Sequence, residues 1–293
     1  VNRASSNKPF DNDGTISGDL NVTITNTGAQ QDDLLLDAMG TSGNINDLTL
    51  NLANGTTANK TVGIASATTI DGDLTITSGT FDTVFDGGAS QVLTVTGDVS
   101  VTGTLTGNAS AISMGSLTIA SGGTYSATSG TTTIKSATGT SSNTLQNSGT
   151  FTHNKGLLFF DLSVANGDGY HNILNSSTAG LHTFYDFEIK CDSEYVAMIK
   201  SIEVLGNYTV RGSNAIRYES GNATNSLIVH GLATTSSGQL GSADTTGLDT
   251  TIPLEKRGWQ FLGGLDVTGG TLKLGSNQTV KVSGLRNIGG TIT

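Results

Sequence analysis

Asp161, Asp168, Asp186, Glu188, Asp192 and Glu194 are the acidic residues whose spacing could support catalysis. Glycoside cleavage needs two carboxyl groups at a fixed separation, one acting as acid and the other as base or nucleophile. Asp186 and Glu188 are two positions apart, so on a strand they share a face. Against catalysis, the whole chain has only 24 acidic residues, few lie beside aromatics that would stack on a sugar, and most fall in turn sequences. His153, His171 and His182 share one segment, but none forms the close pair from which zinc sites of three or four converging ligands are built. Asp11-Asn12-Asp13-Gly14 begins as a calcium loop does, yet the downstream bidentate glutamate is missing, which leaves an Asx turn as the simpler reading. Asn166-Gly167-Asp168-Gly169 reads as a hairpin turn. Cys191, the single cysteine, has no partner for an internal disulfide and reads as a small core residue. The sequence therefore assigns no catalytic, cofactor-binding or metal-binding residue, and it calls for no cofactor.

The elements that must position these residues are short strands. Ile70-Asp71-Gly72-Asp73-Leu74-Thr75-Ile76-Thr77-Ser78-Gly79-Thr80-Phe81 holds an alternating strand, a glycine corner, a second strand, then Gly-Thr and an apolar residue. Its first half recurs at Gly18-Asp19-Leu20, Gly97-Asp98-Val99, Gly115-Ser116-Leu117, Gly206-Asn207-Tyr208, Gly264-Leu265 and Gly284-Leu285. Its second half recurs at Gly103-Thr104-Leu105, Gly123-Thr124-Tyr125, Gly149-Thr150-Phe151, Gly270-Thr271-Leu272 and Gly290-Thr291-Ile292. Leu74 and Ile76 share one face and Thr75 takes the other. The glycine is expected to supply a positive φ at the corner, and the Asp or Asn beside it to close the turn. Corners lie 25 residues apart from Gly72 to Gly97, 18 from Gly97 to Gly115, and 25 from Gly206 to Gly231. A repeat of that length made only of strands and turns predicts an all-β parallel β-helix, each coil covering its neighbour's core. Tandem β-sandwiches or a β-prism fibre would show similar strand lengths. Recurrence of one motif favours the solenoid.

Forty glycines and two prolines fit repeated tight corners in strand-rich coils. Aromatic residues make up 5% and charged residues 13%, so solubility must come from Thr, Ser and Asn, as is common at extracellular and virion surfaces. The net charge of −10 repels phosphate backbones and speaks against a nucleic-acid partner. No run is apolar enough to insert in a membrane.

Along the chain, Val1 to Phe10 reads as an arm. Asp32 to Met39 is the best helix candidate, or one turn over the solenoid's end. Residues 1–148 read as a Thr/Gly-rich solenoid, closing in an aperiodic connection from Ser136 to Ser148. Residues 149–200 collect Phe151, Phe159, Phe160, Tyr170, Phe184, Tyr185, Phe187 and Tyr195, and read as a heavier central β segment. Residues 201–293 resume the solenoid. The final repeat carries no polar cap, which predicts cover by more of the same polypeptide or by another subunit.

Gly149-Thr150-Phe151-Thr152-His153-Asn154-Lys155-Gly156, Phe160-Asp161 and Thr183-Phe184-Tyr185-Asp186-Phe187-Glu188-Ile189 carry a resemblance. They look like a repeat of large virion and surface proteins of phages and bacteria, where Thr/Gly-rich β-helix surrounds it. The match spans about forty residues and departs from the pattern at Leu157-Leu158-Phe159 and at Asp186. It implies a structural, non-enzymatic appendage such as a phage tail fibre, tailspike or capsid decoration, on the virion surface or outside the cell. The expected partners are further copies of the chain, as a trimer or a head-to-tail filament, other virion or surface subunits, and a host-surface glycan. A bacterial adhesin or filament subunit, and a polysaccharide-degrading β-helix, are the alternatives.

Overall fold

The computed structural model describes residues 10–11, 18–25, 34–37, 45–53, 60–136, 143–165, 167, 169–176, 180–218, 223–242, 247–248, 253–274 and 279–293. The chain divides into two compact units, one of residues 1–133 and 148–154, the other of residues 134–147 and 155–293.

In the first unit the chain winds repeatedly through three parallel sheets. One contains Val22–Thr25, Leu48–Asn51, Leu74–Ser78, Asp98–Val101 and Ser116–Ile119 in that order. The second includes Leu34–Asp37, Thr61–Ile64, Thr80–Asp82, Thr104–Thr106, Thr124–Ser126 and Thr150–Thr152. Thr68–Ile70, Leu93–Val95 and Ile112–Met114 belong to the third. The register stacks like on like: Leu74, Val99 and Leu117 form one interior row, and Ile76, Val101 and Ile119 the next. All six are buried, as strand parity predicts. Phe81, Leu105 and Tyr125 continue the core under the second sheet. The Tyr125 hydroxyl is satisfied by Thr132 Oγ1 at 2.6 Å, and burial raises its pKa above the ordinary phenol value.

The second unit is also a three-sheet parallel solenoid. Its coils pass through Leu157–Leu162, Asp186–Cys191, Tyr208–Arg211, Ala233–Thr235, Leu265–Val267 and Leu285–Ile288 on one sheet. A second sheet carries His182–Phe184, Ile202–Val204, Leu227–Val229, Trp259–Phe261 and Val280–Val282. A third runs from Asn143–Asn147 through Tyr170–Asn175, Tyr195–Met198, Ala215–Tyr218, Gln239–Ser242 and Thr271–Lys273 to Thr291–Ile292. An aromatic stack fills the interior: Phe187 lies 5.4 Å from Phe160, 5.1 Å from Phe184 and 5.9 Å from Tyr208. Trp259 is fully buried, its indole N–H donating to the Asn225 carbonyl.

Among the described residues the strands pair in parallel, which tandem β-sandwiches, built from antiparallel strands, cannot give. Two expectations need correction. Leu34–Asp37 is a strand paired with Thr61–Ile64, not a helix. Leu34, Leu35 and Leu36 are all buried, and a short apolar run buried throughout has no periodicity to separate helix from strand. Asn143–Asn147, inside the supposed connection, is a strand in which Thr144, Leu145 and Asn147 are buried. With one apolar residue among five, it shows no alternation to read. Of the eight aromatics from Phe151 to Tyr195, Phe160, Phe184 and Phe187 are fully buried. The others lie partly exposed. The arm residues before Phe10 lie outside the described residues.

Candidate functional site

The Gly-Asp-Leu corner is a ladder linking one coil to the next. Asp47 N–H donates to Asn21 Oδ1 at 3.2 Å, Asp73 N–H to Asp47 Oδ1 at 2.9 Å, and Asp98 N–H to Asp73 Oδ1 at 2.8 Å. Ser116 Oγ then donates to Asp98 Oδ1 at 2.7 Å. The second unit repeats the device, with Asn207 N–H on Asp186 Oδ1 at 2.7 Å and Leu232 N–H on Asn207 Oδ1 at 3.0 Å. Apart from the side-chain pair of Ser116 and Asp98, each acceptor satisfies a backbone donor at the corner. The corner glycine takes the expected positive φ at Gly18 and Gly264 but has a different role at the other corners. Gly72, Gly97, Gly115, Gly206 and Gly231 do not adopt positive φ. A Cβ at Gly72, Gly97 or Gly206 would collide with the Oδ1 of Asp47, Asp73 or Asp186 from the coil before. These glycines make room for the ladder, whereas positive φ occurs at Gly79, Gly122 and Gly270 beside the Gly-Thr half of the motif.

Parity places Asp186 and Glu188 on one outer face, and cations pair with Glu188, Asp161 and Asp192. Asp186, Glu188 and Lys190 alternate outward along Asp186–Cys191. Arg211 Nε contacts Glu188 Oε1 at 2.6 Å, and its guanidinium carbon lies 5.2 Å from the centre of the Phe159 ring. Phe159 faces Glu188 in register. Lys190 lies between Asp161 Oδ1 at 3.5 Å and Asp192 Oδ2 at 3.4 Å, with Ser163 Oγ at 2.6 Å. Asp186 is spent on the corner ladder. Glu194 Oε1 accepts the Gly167 and Gly169 N–H groups at 3.3 and 3.1 Å. Asn166 and Asp168 lie outside the described residues, as do Asn12, Asp13 and Gly14 of the calcium-like turn.

The three histidines do not converge. His171 is buried in Tyr170–Asn175, His182 is buried in His182–Phe184 on another sheet, and His153 follows Thr150–Thr152 in the first unit. Burial lowers the His171 pKa against the opposing pull of Glu194, whose Oε2 is 3.6 Å from Nε2. Cys191 is fully buried with its thiol on the Glu194 carbonyl at 2.6 Å. Burial first, then the charges of Asp192 and Glu194, pushes the thiol up to about 12. Among the described residues no three His, Cys, Asp or Glu side chains group as metal ligands.

Sequence reading missed one cluster. Glu203 Oε1 meets His230 Nε2 at 2.9 Å, and Oε2 meets Lys256 Nζ at 2.8 Å. Burial pushes the Glu203 pKa up, but the hydrogen bonds and charges of Lys256 and His230 outweigh it and hold the carboxyl below its ordinary value. The members are 27 and 53 positions from Glu203, so only the coil lengths could have pointed to them. No family model matches the chain, and neither does any curated protein or solved structure.

Proposed function

We propose that this protein is a structural, non-enzymatic appendage of a virion or cell surface, whose work is to project a stiff solenoid and present a polar face for attachment. The observation that carries this reading is where the candidate carboxylates are spent. Asp186 holds the coil ladder, Glu188 is paired with Arg211, and Asp161 and Asp192 are paired with Lys190. A general acid and base need a proton-exchanging group directed at a substrate. Here the same groups tie successive coils together, which supports a structural role.

The partners in this reading are further copies of the chain, as a trimer or a head-to-tail filament, other surface subunits, and a host glycan. Immuno-electron microscopy of the source particle or cell tests the reading. Label on projecting surface structures is the expected result. Label confined to the cell interior, or release of reducing ends from host polysaccharide by the purified protein, overturns it. Light scattering on the purified chain reads the assembly.

A further inference from the structure

Aspartate or asparagine precedes glycine at six places in the sequence, and both residues are described at two of them, Asp71-Gly72 and Asp86-Gly87. An aspartyl side chain beside glycine can cyclise onto the following amide, because glycine has no Cβ to shield that nitrogen. The two pairs are alike in sequence and opposite in surroundings.

Asp71-Gly72 is locked into the corner. Asp71 N–H donates to the Ile45 carbonyl at 2.8 Å, and Gly72 N–H to the Asn46 carbonyl at 2.6 Å. Asp47 Oδ1 fills the space beside the Gly72 Cα. The Gly167 and Gly169 nitrogens are likewise committed, to Glu194 Oε1. Asp86-Gly87 stands off the sheets, between Thr80–Asp82 and Leu93–Val95. Its loop is pinned by Val84 N–H on Asp82 Oδ1 and by Gln91 N–H on the Thr83 carbonyl, both at 2.8 Å. Gly88 N–H donates to the Phe85 carbonyl at 2.9 Å, with φ of +49° at Asp86 and +68° at Gly87, as in a type I′ turn. Asp86, Gly87 and Gly88 are exposed, and nothing lies within 4 Å of where a Gly87 Cβ would be. Among the described residues, no group accepts the Gly87 N–H and none engages the Asp86 carboxylate.

We propose that Asp86 converts to isoaspartate in the folded protein, through a succinimide with Gly87, while Asp71 is protected. The Gly87 nitrogen attacks the carbon of the protonated Asp86 carboxyl. The N–Cγ bond forms, the Cγ–OH bond breaks, and water leaves with the amide proton. Water then adds across one of the two imide C–N bonds. Opening at Cγ restores aspartate, and opening at the main-chain carbonyl routes the backbone through Cβ and Cγ. No oxidant, reductant or second substrate enters, and the product keeps the mass of the starting chain. One exposed hydrogen bond closes the turn, so it opens locally while the strands stay paired. The extra backbone atom falls between the Thr83 and Gln91 pins, outside the pairings of both flanking strands. The inference concerns the purified chain alone and is independent of the appendage reading.

The test is prolonged incubation of the purified full chain at neutral pH, native and in urea. Digestion follows with an endoproteinase that cuts before aspartate and not before isoaspartate. The readout is site by site, because Asp13-Gly14 and Asn54-Gly55 lie outside the described residues. The native chain should progressively lose the cut before Asp86, keep the cut before Asp71, and show the uncut peptide at unchanged mass. In urea both cuts should be lost. Asp86→Asn, tolerated at positive φ, should reach the same mixture through the same ring with loss of ammonia. Retention of the cut before Asp86 in the native chain overturns the proposal, as does loss of the Asp71 cut at the same rate. An asparagine that stays intact in folded Asp86→Asn overturns it too.

Discussion

Asp73 and Gly97 stand on successive coils so that the carboxylate of the first occupies the space where a side chain on the second would begin. The same Oδ1 accepts the N–H of Asp98 at 2.8 Å. Gly97→Ala should therefore destabilise the protein by about 1–3 kcal/mol through overpacking. Asp73→Ala should cost about 0.5–1.5 kcal/mol by removing the acceptor of the solvent-accessible Asp98 N–H. The double variant should lose less than the two together, because removing the carboxylate relieves part of the collision. Gly72 O also lies 2.7 Å from the added Cβ, so relief is incomplete. Denaturant melts of the four proteins measure the coupling, and strict additivity would contradict the ladder.

The interior rows give a second expectation. Ile76 is fully buried between Leu50 and Val101, while Thr75 on the same strand faces outward. Ile76→Asp would bury an unpaired carboxylate and should cost several kcal/mol, beyond the usual range for point changes. Thr75→Asp should shift stability by about 0.5 kcal/mol or less. Equal melting of the two variants would reverse the strand parity.

These two residues also mark what the sequence can carry. Period-two alternation at Leu74-Thr75-Ile76 names the buried face without any structure, and the recurring Gly-Asp-Leu names the corner. What cannot be read is vertical neighbourhood, because coils differ in length. Val99 and Leu117 are neighbours in one row only 18 positions apart, while Leu240 and Leu272 are neighbours at 32. Glu188 therefore meets Arg211, and Glu203 meets Lys256, at separations no motif predicts. The glycine at the corner was legible as a requirement, and its cause was legible only where φ is positive, as at Gly18 and Gly264. A sequence does not distinguish a glycine needed for positive φ from one needed because a neighbouring coil's oxygen is close. The candidate site suffered most, since pairing across coils decides whether a carboxylate is available.

Cys191 offers a direct probe of packing. Its thiol is buried and pushed up to about 12, so it holds little of the reactive thiolate at neutral pH. A thiol reagent should leave the native protein unlabelled and label one group per chain after denaturation. Rapid labelling under native conditions would place Cys191 outside the core.

Acid should weaken the second unit through two groups with the same sign but different windows. The folded His171 pKa lies below its ordinary 6.5, chiefly from burial, so the unfolded chain binds more protons as pH drops past that value. Its contribution is complete above 6.5 and is lost as pH falls through the folded pKa. Glu203 is also held below its ordinary 4.5. Burial opposes that shift, and Lys256 and His230 outweigh it. Stability from Glu203 is thus present above 4.5 and lost as pH falls through its folded value. Glu203→Gln should lower the melting temperature at pH 7 and converge with the wild type in stronger acid. His171→Asn should flatten the profile between neutral pH and the onset of the Glu203 transition, leaving the lower limb in place. Melting temperatures of the three proteins across the acid range separate the groups. A Glu203→Gln deficit that persists unchanged at the lowest pH would show that its pairing with Lys256 and His230 is not the source of the stability.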